Sequence, residues 1–515
     1  MEKNKKMGAL ALSLMVFTSV YGFANMPLAY FNMGYAAIPY FLLSALVYFL
    51  PFSLMVAEMA QTFKDESGGI YTWMEKTVNI KWAFTGIFMW WISYVVWMMG
   101  KALNMWIPLS YGIFGKNVFT DENVLAWTNG ALKSSQLFGI IGVIFMVIAT
   151  TIAIKGIKGI SKIASVGGIA VISLNVLLFI SGIIVLMTNG LSLGQSTVDF
   201  VHSPNPNFVG TLGSLGFLVY SLFAYGGMEA SGGLVDNVKD KKSYINGLLI
   251  SAGIISIGYA LGVFFVGTFT NWQEVLGVTD ANGNTIVNYG TVTYVVVGHL
   301  GLKLGEIFGM SNPEILQTLL SRFAGIGMFL SYVGAFFTLV YAPLRQMIDG
   351  TPNELWPGKM GEDDPKTETP KYALIGQAVV VIVMVIAISF GGEGATKFFS
   401  IIQGMTNIAM TLPYIFISVA YYFWLTNDKF EKPLQILSKN IGFAKIVTII
   451  VILVVAFGNI FSVLDVNGID EGIKLGTTTL INIPGITDIF VLGPIIFTVV
   501  AYLIVHHYEK RKKQI

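Results

Sequence analysis

The sequence predicts an all-α membrane protein with twelve transmembrane helices, of which the first and the sixth are interrupted. Three observations support this fold class. The composition is apolar, with 54% hydrophobic and 12% charged residues, whereas soluble domains carry about 25% charged residues. Twelve apolar segments have the length of about 20 residues that a spanning helix needs. The positive residues are also distributed unevenly between the segments that connect them.

Taken in order, each predicted span is a long apolar run with few charges. The first run follows Lys3, Lys5 and Lys6 and is too long for a cleaved signal peptide, so we expect it to remain as a span. Several runs exceed the bilayer thickness, which predicts tilt or a break. The twelve runs are 8–33, 36–61, 82–112, 135–154, 163–187, 211–235, 244–269, 318–342, 373–391, 398–425, 443–463 and 488–506.

The positive residues predict the orientation. Of the 31 Lys and Arg residues, 24 fall on alternate connecting segments that begin with the N-terminus, and six fall on the others. Cytoplasmic loops carry such an excess of positive charge. We therefore expect both termini in the cytoplasm, a multi-pass location in the plasma (inner) membrane, and a single transporter domain over residues 1–515. An odd number of spans would destroy the alternation.

Two connecting segments and one acidic residue carry further predictions. The outer segment 270–317 contains an apolar stretch at 291–301 that is too short to span, so we expect an interfacial or re-entrant helix that covers the outer mouth. The inner segment 358–370 is polar and acidic and is interpreted as a plain linker. Glu58 closes the second span, where we expect a helix cap or a salt bridge with Arg345.

Composition also excludes several function classes. A net charge of only +2 argues against nucleic-acid binding. With zero Cys there is no disulfide and no thiolate chemistry, and the four His residues do not cluster as metal ligands. No nucleotide-binding fingerprint is present, so we expect no cofactor. The spans contain no His/Asp/Glu cluster that would serve an enzyme.

The two interrupted spans are five spans apart. Span one contains a Gly-interrupted stretch from Thr18 to Asn25 followed by Pro27, and span six contains Gly226 and Gly227. Matching breaks in two halves indicate the binding site of an inverted-repeat transporter. The halves would be residues 8–187 and 211–425, with the last two spans, 443–506, outside the repeat. The alternative is that these glycines only serve helix packing.

Glu229 follows the second break inside an apolar stretch. A charged residue at the centre of a bilayer span costs about 2.5–3.5 kcal/mol on insertion scales, so it indicates a functional site. Burial favours the protonated carboxyl group, and Glu229 is therefore a candidate to bind and release a proton during transport. A protonated Glu that only bonds the broken backbone remains the structural alternative.

Four local motifs occur in the expected order along the chain. They are residues 51–73 with Ala57-Glu58-Met59-Ala60, residues 162–167, Tyr225-Gly-Gly-Met-Glu-Ala-Ser231, and Pro343-Leu-Arg-Gln-Met347. With these motifs the chain resembles the amino acid–polyamine–organocation (APC) transporter family, and within it the bacterial glutamate:GABA antiporters. The resemblance implies a LeuT-type 5+5 inverted repeat and amino-acid transport by exchange or by proton-coupled uptake.

The resemblance also implies roles for residues at both breaks. Phe223 matches an aromatic residue that stacks over the substrate, and Glu229 matches a carboxylate linked to gating and proton coupling. The first break would receive the substrate carboxylate at helix N–H groups, while half-helix carbonyls suit the ammonium group. The candidate substrate-binding residues lie at the two breaks: Ser19, Val20, Tyr21, Gly22, Phe23, Ala24, Phe223, Ala224, Tyr225, Gly226 and Gly227.

Three positions depart from the family pattern. Tyr21-Gly22-Phe23 replaces the common Gly-Ser-Gly, which predicts a smaller pocket. Val171 stands where some relatives carry a lysine that substitutes for sodium. Only His506 to Ile515 follow the last predicted span, so closure by a long C-terminal plug is not supported.

Two polar features inside spans have more than one interpretation. Lys101, in span three, is a candidate gating residue that would meet a substrate carboxylate, pair with Glu229, or extend to the outer interface. Nearby Trp106 and Pro108 favour the interface or a structural pairing. In span ten, Ser400, Gln403 and Asn407 form a polar stripe that would line the pathway or bond neighbouring helices.

The sequence thus predicts a secondary active transporter of amino acids, an antiporter of glutamate/GABA-like substrates. A proton- or sodium-coupled symporter of other specificity and a transporter-like sensor are the alternatives. The expected partners are an amino acid and the lipid bilayer, without nucleic acid. Both a monomer and a homodimer are compatible with the sequence.

Overall fold

The structure is a computed structural model that describes residues 13, 16, 20–66, 68–118, 132–191, 193, 198–229, 241–279, 287–463 and 486–512. In these ranges the regular elements are helical, and one isolated β-bridge joins Asp364 and Thr369. The α-helices are α1 Asn25–Met33, α2 Ala37–Ser44, α3 Leu50–Thr62, α4 Ile70–Thr77, α5 Ile80–Asn104, α6 Trp106–Phe114, α7 Ser134–Ile154, α8 Ile157–Thr188, α9 Gly210–Phe223, α10 Lys241–Phe269, α11 Val292–Ile307, α12 Glu314–Gly350, α13 Lys371–Phe390, α14 Gly392–Thr426, α15 Ile441–Val463 and α16 Ile486–Lys512.

The described part of the chain contains nine helical stretches that are long and apolar enough to cross a membrane. This confirms an all-helical protein with multiple membrane-capable helices. The first stretch, Asn25–Thr62, runs from α1 through α2 to α3, with a 3-10 turn at Gly34–Ala36 and a π-helical turn at Ala45–Phe49. The count of twelve spans, the inverted repeat and the orientation of the termini stay predictions.

The outer faces of several helices are apolar and exposed. Ile144, Val147 and Ile148 on α7 are half exposed, as is Ile180 on α8. Such faces suit contact with lipid tails, which are as apolar as the side chains themselves. The interior instead holds tightly packed aromatic and small residues, which brings helices into close contact.

Glycine determines the crossing of α8 and α12. A Cβ atom on Gly334 would lie 2.9 Å from the Cα of Gly167, and the reverse distance is also 2.9 Å. Both are below the range that real Cβ atoms show, so this backbone contact requires glycine on both helices. Small residues permit this kind of approach between membrane helices.

The segment 270–317, predicted to lie on the outer side, contains helix α11, so a helix is present where one was predicted. It packs against α12, α8 and α1. Its interfacial or re-entrant position stays a prediction. That it covers an outer mouth remains a prediction.

The segment 358–370, which we expected to be a plain linker on the inner side, is bonded to its neighbours. Arg345 at the end of α12 pairs with Asp349 and with Asp363, each at 2.6 Å. Its guanidinium also donates to the carbonyl of Glu368 at 3.1 Å, and the Thr369 hydroxyl donates to the carbonyl of Ile154 at 3.0 Å. Asp363 of this segment thus pairs with Arg345 through its side chain, Glu368 contributes its backbone carbonyl, and Asp364 accepts the N–H groups of Lys366 and Thr367.

Candidate functional site

The first helix break lies at residues 21–24. Val20 is helical, Tyr21 and Gly22 are not, and α1 begins at Asn25. The turn is closed by short bonds, because the Asn25 N–H donates to the Gly22 carbonyl at 2.9 Å. Pro27 lies in the first turn of α1, where the missing N–H of proline costs little. The predicted interruption of span one is confirmed.

The second break follows the end of α9 at Phe223. Residues 224–227 form turns, and Gly227 has φ of 113°, a left-handed backbone that favours glycine. A Cβ on Gly226 would lie 2.6 Å from the hydroxyl of Tyr414. Both glycines are therefore favoured by the local structure, and a helix ends where the interruption of span six was predicted. Residues 230–240 lie outside the described residues, so the second half of this span stays a prediction.

Tyr259 of α10 joins the two breaks. Its hydroxyl lies 2.9 Å from the carbonyl of Val20 and 3.1 Å from that of Ala224. It also accepts hydrogen bonds from the Gly22 N–H at 2.9 Å and from the Asn25 side-chain amide at 3.1 Å. One buried hydroxyl thus contacts the backbone of both interrupted helices.

Glu229 lies just beyond the second break and is fully buried. Its Oε1 accepts from the Trp90 indole N–H at 2.9 Å and is 3.3 Å and 3.4 Å from the hydroxyls of Tyr414 and Tyr94. Its Oε2 accepts from the N–H of Gly227 at 3.1 Å. Helices α5 and α14 and the broken backbone therefore meet at one carboxyl group.

The chemistry of these partners fits two protonation states. The indole and the backbone N–H only donate, and four donors match the acceptor capacity of an ionised carboxylate. A tyrosine hydroxyl both donates and accepts, so a protonated Glu229 can donate its hydrogen to Tyr94 or Tyr414. Within the described ranges no ion pair involves Glu229.

Two predicted aromatic residues pack against neighbouring helices. Phe223 is partly buried, and a Cβ on Gly458 of α15 would lie 3.2 Å from its Cζ. Tyr225 is fully buried, stacks on Phe49 at 4.7 Å between ring centroids, and its hydroxyl lies 3.1 Å from the Ser256 carbonyl. A substrate-stacking role for Phe223 stays a prediction.

Tyr21 and Phe23 of the first break are buried in the protein interior. The Tyr21 ring lies 4.7 Å from the Tyr259 ring and its hydroxyl donates to the sulfur of Met26 at 3.4 Å. Phe23 is buried, and Ala24 directly precedes α1. Ser19 lies outside the described residues, as do the side chains of Ser400, Gln403 and Asn407.

Lys101 lies over aromatic rings. Its Nζ is 3.9 Å from the centroid of the Tyr332 ring and 5.6 Å from that of the Trp97 ring. Cation–π contacts of this kind contribute about 0.5–2 kcal/mol. The described ion pairs do not include Lys101, so the pairing with Glu229 is not observed, and a role in gating stays a prediction.

Glu58 does not pair with Arg345, and that prediction is wrong. Its fully buried Oε1 accepts the backbone N–H groups of Ile436, Leu437 and Ser438 at 2.7, 2.8 and 3.1 Å. The hydroxyl of Tyr421 donates to its Oε2. The carboxylate thus fastens α3 to the segment between α14 and α15, while Arg345 uses Asp349 and Asp363.

Sequence reasoning missed Tyr259, Trp90, Tyr94 and Tyr414. A tyrosine or tryptophan in an apolar span needs a partner for its polar atom. Trp90 and Tyr94 are also four residues apart, on one face of α5. The four-residue spacing of Trp90 and Tyr94, in a chain with one isolated carboxyl group in an apolar span, was the signal that could have indicated them as partners of Glu229. Val171 of α8 is fully buried, in keeping with the missing fifth-span amine.

Comparison with known proteins gives consistent matches along the chain. The profile of the amino acid permease family matches residues 7–487. The chain is 40% identical to "Inner membrane transporter YjeM" of Escherichia coli over 511 residues, 98% of this chain and 97% of the relative. It is 21% identical to "Aspartate/glutamate permease AcaP" of Lactococcus lactis subsp. cremoris, covering 82% and 80% of the two chains. It is 22% identical to a "Glutamate/gamma-aminobutyrate antiporter" of Lactococcus lactis subsp. lactis, covering 82% and 76%.

Proposed function

The chain belongs to the amino acid permease family, and from that premise we propose that it exchanges amino acids across the plasma (inner) membrane. The observation that carries the proposal is that the Tyr259 hydroxyl joins the two helix breaks, and that the second break is bonded to the buried carboxyl group of Glu229. Irregular backbone at membrane depth is tolerated only where it lines a cavity or is covered by protein. Here the breaks present polar backbone atoms that an amino acid would contact.

The substrate class follows from the polar atoms at the breaks. The turn before α1 carries N–H groups at the positive end of a helix, which suits the substrate carboxylate. Val20 and Ala224 carry carbonyl oxygens at the ends of the preceding half-helices, which suit an ammonium group. An amino acid provides both groups at once.

Coupling to protons is assigned to Glu229. Its partners accept either protonation state, and they belong to α5, α14 and the break. Binding a proton would reverse one of the tyrosine bonds and thereby change how the break is held against its neighbours. This role is part of the proposal, as are the LeuT-type repeat, twelve spans and cytoplasmic termini.

Glutamate and GABA-like amino acids are the proposed substrates, and exchange is the proposed mode. Two distant relatives are named for such substrates, one as a permease and one as an antiporter. Among the described ion pairs none involves Glu229, so no protein cation neutralises its charge there.

The test is counterflow in proteoliposomes made with the purified full chain. Vesicles are loaded with unlabelled glutamate or GABA and then offered a panel of labelled amino acids. We expect uptake of labelled glutamate or GABA that is several times faster into loaded than into unloaded vesicles. If uptake does not depend on the amino acid inside the vesicles but requires a sodium gradient, the protein is a sodium-coupled symporter and not an exchanger.

A further inference from the structure

We propose that the Tyr259 hydroxyl takes the place of the substrate at both helix breaks whenever no amino acid is bound, so that the unloaded carrier can reorient. This inference rests on the proposed function. It assigns a positioning role to a residue that the family resemblance did not single out.

Four polar groups surround the oxygen of the Tyr259 hydroxyl. The Tyr259 hydroxyl is within 2.9–3.1 Å of two carbonyls, one backbone N–H and one side-chain amide. The Val20 and Gly22 groups belong to the first break, and the Ala224 carbonyl belongs to the second. These backbone groups are of the two kinds that an amino acid would use, an N–H for its carboxylate and carbonyls for its ammonium.

The hydroxyl cannot serve all of these groups fully. It has one hydrogen and two lone pairs. The N–H of Gly22 and the amide of Asn25 occupy the lone pairs, and the single hydrogen reaches either the Val20 or the Ala224 carbonyl. The hydroxyl therefore satisfies the breaks partially, and an ammonium group with three hydrogens satisfies both carbonyls at once. Substrate and hydroxyl compete for the same backbone atoms.

This competition has a consequence for transport. A buried backbone group without a partner costs several kcal/mol in a membrane interior. If only the substrate supplied hydrogen-bond partners to the breaks, the unloaded carrier could not change its orientation, and the protein would carry out exchange alone. Because Tyr259 supplies partners to both breaks, the unloaded protein has a low-energy form that can cross between its two orientations. Net flux then accompanies exchange.

The test compares Tyr259→Phe with wild type and with Tyr30→Phe. The Phe variant keeps the ring, which lies 5.0 Å from that of Phe41, and removes only the hydroxyl. Tyr30→Phe removes a buried hydroxyl bond of 2.7 Å to the carbonyl of Thr270, between α1 and the residue after α10, away from both breaks. Folding of each variant is checked by gel filtration in detergent.

Two quantities are measured: the Kd for glutamate or GABA, and the ratio of net flux to exchange in proteoliposomes. Removing a competing hydrogen bond should tighten substrate binding by Tyr259→Phe roughly two- to tenfold. The net-flux-to-exchange ratio should fall by a similar factor or more. Tyr30→Phe should keep both quantities near their wild-type values.

Weaker binding by Tyr259→Phe, or an unchanged ratio, overturns the inference. If Tyr259→Phe does not fold, the wild-type protein alone still tests the inference. The inference requires that wild type shows measurable net uptake into unloaded vesicles in addition to exchange. A wild type that exchanges amino acids without any net uptake refutes the role of Tyr259 and leaves the proposed function intact. A wild type that moves no amino acid at all refutes the proposed function itself.

Discussion

Replacing Glu58 by Gln should loosen the segment between α14 and α15. Three backbone N–H groups, of Ile436, Leu437 and Ser438, converge on one carboxylate oxygen. Hydrogen bonds to charged groups contribute about 1.5–3 kcal/mol, against about 0.5–1.5 kcal/mol for neutral ones. Loss of the charge therefore costs about 1 kcal/mol per bond, and about 3 kcal/mol in total if the three add. The contact with Tyr421 can persist in the variant, because the Gln amide can donate a hydrogen bond to the Tyr421 hydroxyl, which also accepts.

The assay uses the absence of cysteine from the chain. Ser438→Cys places a thiol at a buried position, 4% exposed, on the fastened segment. Maleimide labelling of a buried thiol requires local opening, whose free energy sets the rate. A loss of about 3 kcal/mol should raise the labelling rate by roughly 10²-fold when Glu58→Gln is added, since every 1.4 kcal/mol is tenfold.

The matched control is Glu431→Gln, an exposed acidic residue on the same segment. We expect this variant to label at the rate of Ser438→Cys alone. If Glu58→Gln labels within a factor of two of its parent, or if the Glu431 variant accelerates equally, then the buried carboxylate does not hold this segment.

Two further predictions concern stability. Gly334→Leu should lower the melting temperature, because its Cβ would lie 2.9 Å from the Cα of Gly167 and overpacking costs about 1–3 kcal/mol. The control is Gly253→Leu, because nothing lies within 4 Å of a Cβ added there. Equal losses of melting temperature in the two variants would refute the close crossing of α8 and α12. At His299 of helix α11, burial and then the nearby Lys303 lower the imidazole pKa below its ordinary value of 6.5. The unfolded chain then binds the proton more readily, so the stabilisation is fully present above pH 6.5 and decreases as the pH falls below it. The melting temperature of His299→Gln should therefore depend less on pH in this range than that of wild type. An unchanged dependence of melting temperature on pH would contradict the role of His299.

Local features of the sequence predicted apolar helices of membrane-spanning length and the two places at which a helix ends. An apolar run of about 20 residues indicates a membrane helix, because a helix of that length spans the bilayer and satisfies its own backbone hydrogen bonds. The Gly226-Gly227 pair predicted a break because glycine tolerates the backbone that Gly227 adopts, φ of 113°. Glu229 was recognised because an isolated carboxyl group in an apolar span is costly.

Long-range partners were not predictable from local patterns. Glu58 bonds a backbone segment 378 to 380 residues away, and backbone donors carry no signal in the sequence. Of the two alternatives expected for Glu58, a helix cap or a salt bridge with Arg345, the salt bridge is therefore wrong. Tyr259 similarly looks like an apolar core residue of its helix, and only the meeting of both breaks at its hydroxyl distinguishes it.

Glu229 is proposed to couple amino-acid exchange to protons, and the pH dependence of counterflow by Glu229→Gln tests this role. The amide keeps one acceptor for the Trp90 N–H but cannot gain or lose a proton. We expect wild-type counterflow to change several-fold between mildly acidic and neutral pH, and that of Glu229→Gln to be flat or abolished while the variant still folds. A variant that retains the wild-type pH profile would contradict the account.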